Sequence, residues 1–283
     1  FDYPTARQLA GFFEASAAPA EKKAAPAAKV SGDGPTKTMS SSVVRLSGMS
    51  VISPKGTTSM DGLRRMASCA TGCTTEVPLD RWVLNEGVTS DETVAKRVRF
   101  GGFVNNMELF DNKFFSVSPA EAAAMDPQQR LLLEGGYEAL HAASLQKAAI
   151  MGCVVGVFVG IANADYGDLV KTSPIGRSVY SATGSSHSVA AGRISFALGL
   201  QGPCAAYDTA CSAALVANHA GMRALQMNEC VSGLVSGVSI MLLPGVHISF
   251  GTAGMTSPNG KCHTFDKRAD GYCRGEACGS VAL

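Results

Sequence analysis

Two stretches of this 283-residue chain carry no charged side chain: Ala148 to Ala164, and Val231 up to Lys261. Both mix glycine with Val and Ile. Neither reads as a membrane helix, because the first scatters glycines and Asn163 among its apolar residues and the second contains Pro244, His247 and several serines. Short β-branched runs of this kind suit strands covered on both faces. Such strands need helices on both sides of their sheet, and the intervening sequence supplies them.

Met151–Gly160 and Leu234–Leu242 read as core strands, and Cys204–Thr209 as a strand leading to Cys211. Val189–Phe196 and Ser212–Met227 read as helices. Asp126–Ala143 is an amphipathic helix that starts on Asp126-Pro127 and carries Leu131, Leu132, Tyr137 and Leu140. Upstream, Ser42–Met49 reads as a strand, Asp61–Met66 opens a helix and Glu76–Trp82 is a loop. This β-α alternation predicts a layered α/β domain. No solenoid-type repeat interrupts it.

Composition agrees with a large core: 46% of residues are hydrophobic and 17% charged. The 24 basic and 23 acidic residues leave a net charge of +1. That balance gives no basic footprint for nucleic acid or for an anionic membrane surface. The nine cysteines lack the spacing of a secreted scaffold, and no signal peptide opens the chain. Reduced thiols and an intracellular location, cytoplasm or plastid, are expected. The chain begins at Phe1, so its native start, with any targeting segment, is expected upstream.

The first 40 residues differ from the rest. In residues 1–14 Thr5 can cap a helix that places Leu9, Phe12 and Phe13 on one face. Residues 15–40 are rich in Ala, Ser and Lys and contain Pro19, Pro26 and Pro35, a linker composition. A helical stub before a linker suggests the end of an upstream domain. The main domain is expected over 41–283.

The segment Gly202–Ala217, GPCAAYDTACSAALVA, carries the chemistry. A strand ends at Tyr207-Asp208, a sharp turn holds Thr209, Ala210 and Cys211, and an apolar, small-residue helix follows. An all-round apolar helix is expected to be buried. A cysteine at a helix N-terminus meets the positive end of the dipole and unpaired N–H groups, which favour its thiolate. The same N–H groups, that of Cys211 among them, can donate to the oxyanion formed when a thioester carbonyl is attacked. A buried inert thiol is the ordinary role of a lone cysteine, and the other eight are assigned it.

Asp208-Thr209-Ala210-Cys211-Ser212 with Ala213–Ala217 resembles the active-site signature of β-ketoacyl synthases, the ketosynthase domains of type I polyketide and fatty-acid synthases. Further segments agree in order: Phe110–Phe115, Ser118–Ala122, Met125–Arg130, Val189–Ser195, Gly202-Pro203, Thr264–Asp266, Ala269–Tyr272 and Arg274–Glu276, with Pro78 and Asp80–Trp82 in an early loop. Residues 1–14 look like the end of an acyl carrier protein domain. Ala213, Ala214 and Ala277 are small-for-small departures from the family pattern.

The resemblance implies a thiolase-like α/β fold of α-β-α-β-α layers, here its first half and only the start of the second. It implies that Cys211 accepts an acyl chain from a carrier protein, and that the complete enzyme extends it by decarboxylative Claisen condensation with a malonyl-type extender. The domain would bind no cofactor or metal itself. Its substrates would ride on the 4'-phosphopantetheine of acyl carrier protein domains, and it would form a homodimer. The family's two catalytic histidines come from the second half. His141, His187, His219, His247 and His263 stand outside those motifs and are assigned packing or surface roles, so this chain alone is not expected to condense.

Three alternatives remain. Cys69-x3-Cys73 and Cys262/His263 with Cys273 and Cys278 could ligate a metal, although they do not repeat a zinc-ribbon pair. A thiolase or chalcone-synthase-like relative would share the nucleophile and the fold but not Met125–Arg130 or Phe265–Glu276. A non-elongating ketosynthase-like domain would only transfer or gate acyl chains.

Overall fold

The computed structural model describes residues 43–84 and 89–283. The expectations for 1–14, for 15–40 and for a strand beginning at Ser42 fall outside these residues, wholly or in part. In chain order the elements are β1 (Gly48–Ile52), α1 (Met60–Ser68), β2 (Thr75–Glu76), α2 (Glu92–Arg97), β3 (Phe100–Gly101), α3 (Pro119–Ala124), α4 (Pro127–Ala142), α5 (Lys147–Ile150), β4 (Val155–Ile161), α6 (Asp165–Lys171), α7 (Ser181–Ser185), α8 (His187–Leu198), β5 (Cys204–Tyr207), α9 (Ala213–Gln226), β6 (Ser232–Ser239), α10 (Gly245–Thr252) and β7 (Ala277–Ala282).

Five strands form one mixed sheet in the order β1-β7-β6-β4-β5. β4 runs parallel to both its neighbours, β5 and β6, with Val157 opposite both Cys204 and Leu234. β7 is antiparallel to β6 and β1. β2 and β3 make a separate antiparallel pair. Every residue of β4 is buried, which is what its uninterrupted apolar sequence requires.

Helices α4 and α8 cover one face of the sheet. Leu131, Leu132, Leu133 and Leu140 of α4 and Ile194 and Leu198 of α8 share a core with Val157, Val159, Ile161 and Leu234. Helix α9 covers the other face, where Ala217 and Ala224 meet Phe158 and Val235. α4 begins as its sequence directs: Asp126 accepts the Gln128 N–H at 2.8 Å and Pro127 takes the first turn.

Three departures from the sequence reading have physical reasons. β1 starts at Gly48, because there the chain passes under α4: a Cβ at Gly48 would lie 2.1 Å from the Ala139 carbonyl oxygen. The charge-free run after Val231 is not strand to its end. β6 stops at Ser239, Pro244 caps α10, and between them side chains replace the ladder. Glu276 accepts the Met241 N–H at 2.8 Å, and Asp165 accepts those of Leu242 and Leu243 at 3.0 Å each. Third, α9 is not buried all round. Ala213, Ala217, Gly221 and Ala224 form its buried stripe, whereas Leu215 is 71% exposed. No helix among the described residues is long and apolar enough to cross a membrane.

Candidate active site

Cys211 stands where the parallel strands end. β4, β5 and β6 run in one direction, and the chain leaving β5 turns at once into α9. The carboxyl ends of parallel strands are where open α/β sheets present their sites. A cleft of about 730 Å³ opens there, and Cys211 lines it with Asn163, Phe250, Tyr272 and Arg274. Cys211 is exposed.

The turn is built from its own short side chains. Asp208 Oδ1 accepts the Ala210 N–H at 3.0 Å. Ala210 takes φ +52°, a left-handed conformation uncommon for a residue with a Cβ. Ser212 Oγ lies 2.9 Å from both Thr209 O and Thr209 Oγ1. The Ser212 N–H reaches Thr209 O at 3.3 Å, and the Ala213 N–H binds Ala210 O. These bonds engage the N–H groups on either side of Cys211.

Glycines in the strands let the turn sit low on the sheet. A Cβ at Gly160 of β4 would come within 2.4 Å of the Ala214 nitrogen, and one at Gly237 of β6 within 2.6 Å of the Ala214 Cβ. Larger residues at Ala213 or Ala214 would meet the same strands. Alanine at these positions therefore suits the close approach of α9.

The segments that resemble the family's signature are the frame around this turn. In the helix start after Met125, Gln128 Nε2 donates to Asn163 O at 2.8 Å, and His187 Nε2 lies 3.1 Å from the same oxygen. The strand extension that forms one rim of the cleft is thus tied to α4 and α8. Gln129 donates to Thr183 O and Ser186 O and accepts from Arg193 Nε, while Arg193 pairs with Glu121. Burial pushes the Asp126 carboxyl up to about 6 against the opposing effect of the Gln128 hydrogen bonds.

The opposite rim depends on Glu276 and Arg274. Glu276 is buried, pairs with the largely covered Arg81 side chain at 3.1 Å, and accepts the N–H groups of Val104 at 2.7 Å and Met241 at 2.8 Å. It thereby joins the early loop, the end of β6 and the start of β7. Its carboxyl is raised by burial, partly offset by these bonds and by Arg81. Arg274 lies over the Phe250 ring at 5.2 Å. Burial lowers its pKa from the usual guanidinium range, against the opposing effect of Tyr272, Asp165 and Glu276.

No histidine lines the cleft among the described residues. His187 is the hydrogen-bonding partner already described. His247 is fully buried on α10, edge-on to Trp82 at 6.0 Å, with neither ring nitrogen hydrogen-bonded. Burial, aided by Arg274, pushes it down to about 4. His141 and His219 stand on the outer sides of their helices, and His263 is half-buried. Among the described residues, no group of three or more His, Cys, Asp or Glu is placed to share a metal ion.

Sequence reasoning located Cys211 but not Asn163, Phe250, Tyr272 or Arg274 as cleft residues. Phe250 sits on α10, a helix hidden within an apolar run. Tyr272 and Arg274 belonged to a resembling segment whose place beside the nucleophile only the fold discloses.

Residues 41–283 match the family described as "Beta-ketoacyl synthase, N-terminal domain". A phenolphthiocerol/phthiocerol polyketide synthase of Mycobacterium tuberculosis is 43% identical over 209 residues, 73% of this chain and 14% of that protein. The polyketide synthase GfsE of Streptomyces halstedii is 40% identical over 243 residues, 85% of this chain and 6% of its own length. The chain thus spans a small part of the curated relatives it matches. Among solved structures, the ketosynthase from module 6 of the bacillaene synthase of Bacillus subtilis 168 is similar with a TM-score of 0.74 and 33% identity. That match covers 83% of this chain and 38% of that one. A Streptomyces albus oxazolomycin ketosynthase domain matches with a TM-score of 0.74 and 28% identity, over 84% and 41% respectively. The layered α/β fold is therefore the thiolase-like fold of ketosynthases, and the chain belongs to the β-ketoacyl synthase family, as the N-terminal domain of a ketosynthase of the type I polyketide synthase kind.

Proposed function

We propose that Cys211 is the nucleophile that takes an acyl chain from a carrier protein as a thioester. The observation that carries this reading is its position: an accessible thiol on the turn that opens α9, in a cleft at the ends of three parallel strands. The thiolate attacks the carbonyl of the incoming thioester. The Cys211 N–H donates to the oxyanion of the tetrahedral intermediate. That intermediate collapses by expelling the carrier's phosphopantetheine thiolate, which takes up a proton, and the acyl group stays on Cys211.

In the complete enzyme the acyl group is then extended. A malonyl-type extender on a second carrier loses carbon dioxide, and its enolate attacks the Cys211 thioester to give a 3-oxoacyl product. The domain binds no cofactor of its own in this reading. Acyl carrier domains in their acyl and malonyl forms are its partners, with residues 1–14 as the end of one and 15–40 as the linker, and a second copy completes a homodimer. The cytoplasm or a plastid is its expected location. Because no described histidine lines the cleft, this chain by itself is expected to load but not to extend.

The test is acyl loading. Incubation with an acyl-carrier or acyl-N-acetylcysteamine thioester should add one acyl group, mapped to Cys211 and removed by hydroxylamine. Cys211→Ala should lose it. Acylation that persists in Cys211→Ala, or none on Cys211 in the native chain, overturns the assignment. Condensation by the native chain with a malonyl carrier would overturn the separate expectation that it only loads. If the complete enzyme loads but never extends, the non-elongating alternative holds.

A further inference from the structure

Cys262 and Cys273 lie eleven residues apart on the loop between α10 and β7. Cys262 is exposed and Cys273 half-buried. Cys262 Sγ accepts the Cys273 N–H at 3.1 Å and lies 3.9 Å from Cys273 O. This is the one hydrogen-bonded cysteine pair among the described residues. The Cys273 thiol itself donates to Arg274 O at 3.6 Å. One sulfur is thus already seated on the other cysteine's main chain, the proximity that a bond between the two thiols requires.

The backbone on the Cys273 side is fixed. Tyr272 exchanges hydrogen bonds with the chain at Met255 and Ser257, at 3.0 and 2.9 Å, and Arg274 O accepts the Gly102 N–H at 2.9 Å. Tyr272 and Arg274, the two neighbours of Cys273, both line the Cys211 cleft. A bond formed at Cys273 is therefore formed between two residues that line that cleft.

We infer that Cys262 and Cys273 are an oxidative modification site, which a low-molecular-weight disulfide of the glutathione type converts into an intramolecular disulfide. Cys262, the exposed thiol, loses its proton and attacks one sulfur of the oxidant. One glutathione thiolate leaves, and a mixed disulfide forms on Cys262. Cys273 then loses its proton and attacks the Cys262 sulfur, expelling the second glutathione thiolate. The two cysteines are oxidised, the glutathione disulfide is reduced to two thiols, and the two protons released by the cysteines balance those taken up. Burial raises the Cys273 thiol, which suits it to the second, intramolecular step rather than the first. The inference stands on these two thiols and does not depend on the acyl chemistry of Cys211.

The test uses the full chain and oxidised glutathione. After incubation, free thiols are blocked with N-ethylmaleimide and the protein is digested with trypsin without reduction. Lys267 and Arg268 lie between the two cysteines, so cleavage separates them. The expected product is a Cys262–Cys273 linked peptide pair, about 2 Da lighter than its two thiol peptides together and separated by dithiothreitol. Cys273→Ser should arrest the reaction with glutathione on Cys262, and Cys262→Ser should leave Cys273 open to the maleimide. The native-chain map decides on its own if either variant fails to fold. A stable glutathione adduct on Cys262 with Cys273 still alkylated, or preferential linkage of either residue to another cysteine, overturns the proposal.

Discussion

The two faces of the sheet are covered by helices of opposite design. On one face α4 and α8 present Leu131, Leu132, Leu133, Ile194 and Leu198, large side chains that fill volume. On the other, α9 presents Ala213, Ala217, Gly221 and Ala224, and the strands beneath it contribute Gly160 and Gly237. The first interface gains stability from buried apolar area. The second gains proximity: its small residues bring the start of α9, and with it Cys211, down onto the strand ends. Among the buried polar groups, Asp126 and Gln129 at the start of α4 are hydrogen-bonded and Gln128 leaves its Oε1 unbonded, whereas His247, on the same helix as the cleft residue Phe250, has neither nitrogen bonded.

A pair of alanine substitutions separates volume from proximity. Leu132→Ala empties a fully buried position on the α4 face and should cost about 3 kcal/mol of stability, read by denaturant unfolding. It should leave the iodoacetamide labelling rate of Cys211 unchanged. Gly160→Ala adds only a methyl, but that methyl would meet the backbone of α9, so something must shift. Its cost should be near the upper end of overpacking, about 2–3 kcal/mol, together with a changed Cys211 labelling rate. Equal effects of both variants on labelling would mean that α9 is not placed by close approach.

Two of these buried groups, Asp126 and His247, should also respond to acid with opposite signs. Asp126 is raised from 3.8 to about 6, so the folded state holds its proton more tightly, and stability falls as pH rises through that range. His247 is lowered from 6.5 to about 4, so the unfolded state binds the proton first, and stability falls as pH drops below 6.5. In mildly acidic solution, between these values, the two contributions oppose each other, each on the order of 1–2 kcal/mol. Asp126→Asn keeps the helix cap but removes the acid-side gain, so it should lose stability on acidification relative to the native chain. His247→Leu should gain it. Parallel pH dependence of the native chain and both variants would show that neither group is held as its burial implies.

The legible part of this molecule was its periodicity and its punctuation. The buried strand β4, the capped helix α4 and the strand–turn–helix around Cys211 followed from residues acting on near neighbours. What remained hidden depended on distant partners. The strand β7 lies between β6 and β1, and nothing in residues 277–282 alone announces that slot. Helix α10 follows β6 inside one apolar run because Asp165 and Glu276, far away in sequence, accept the N–H groups that the strand gives up. The apolar neighbours of Leu215 predict an inside position, yet the buried stripe of α9 is made of small residues that let the helix close onto Phe158 and Val235, and Leu215 lies off that stripe. The nucleophile was therefore readable, but the cleft around it was not: Phe250, Tyr272 and Arg274 arrive there only through the fold.

The smallest expected effect concerns the turn itself. Asp208 Oδ1 holds the Ala210 N–H, and Ala210 makes the sharp turn with its left-handed backbone. Removing the acceptor with Asp208→Ala should cost about 1 kcal/mol, the usual net worth of such a bond. Stability alone would not distinguish this from any other lost contact. The informative readout is Cys211: if the bond positions the turn, Asp208→Ala should alter its labelling rate and Asp208→Asn, which keeps an acceptor oxygen, should restore it. Ala210→Gly accommodates the left-handed conformation without a Cβ and should leave the labelling of the otherwise native chain unchanged while making it less sensitive to loss of Asp208. If Asp208→Ala and Asp208→Asn behave alike, charge rather than the turn bond is what Asp208 contributes. In that case the close fit of α9 on Gly160 and Gly237 would be what positions Cys211.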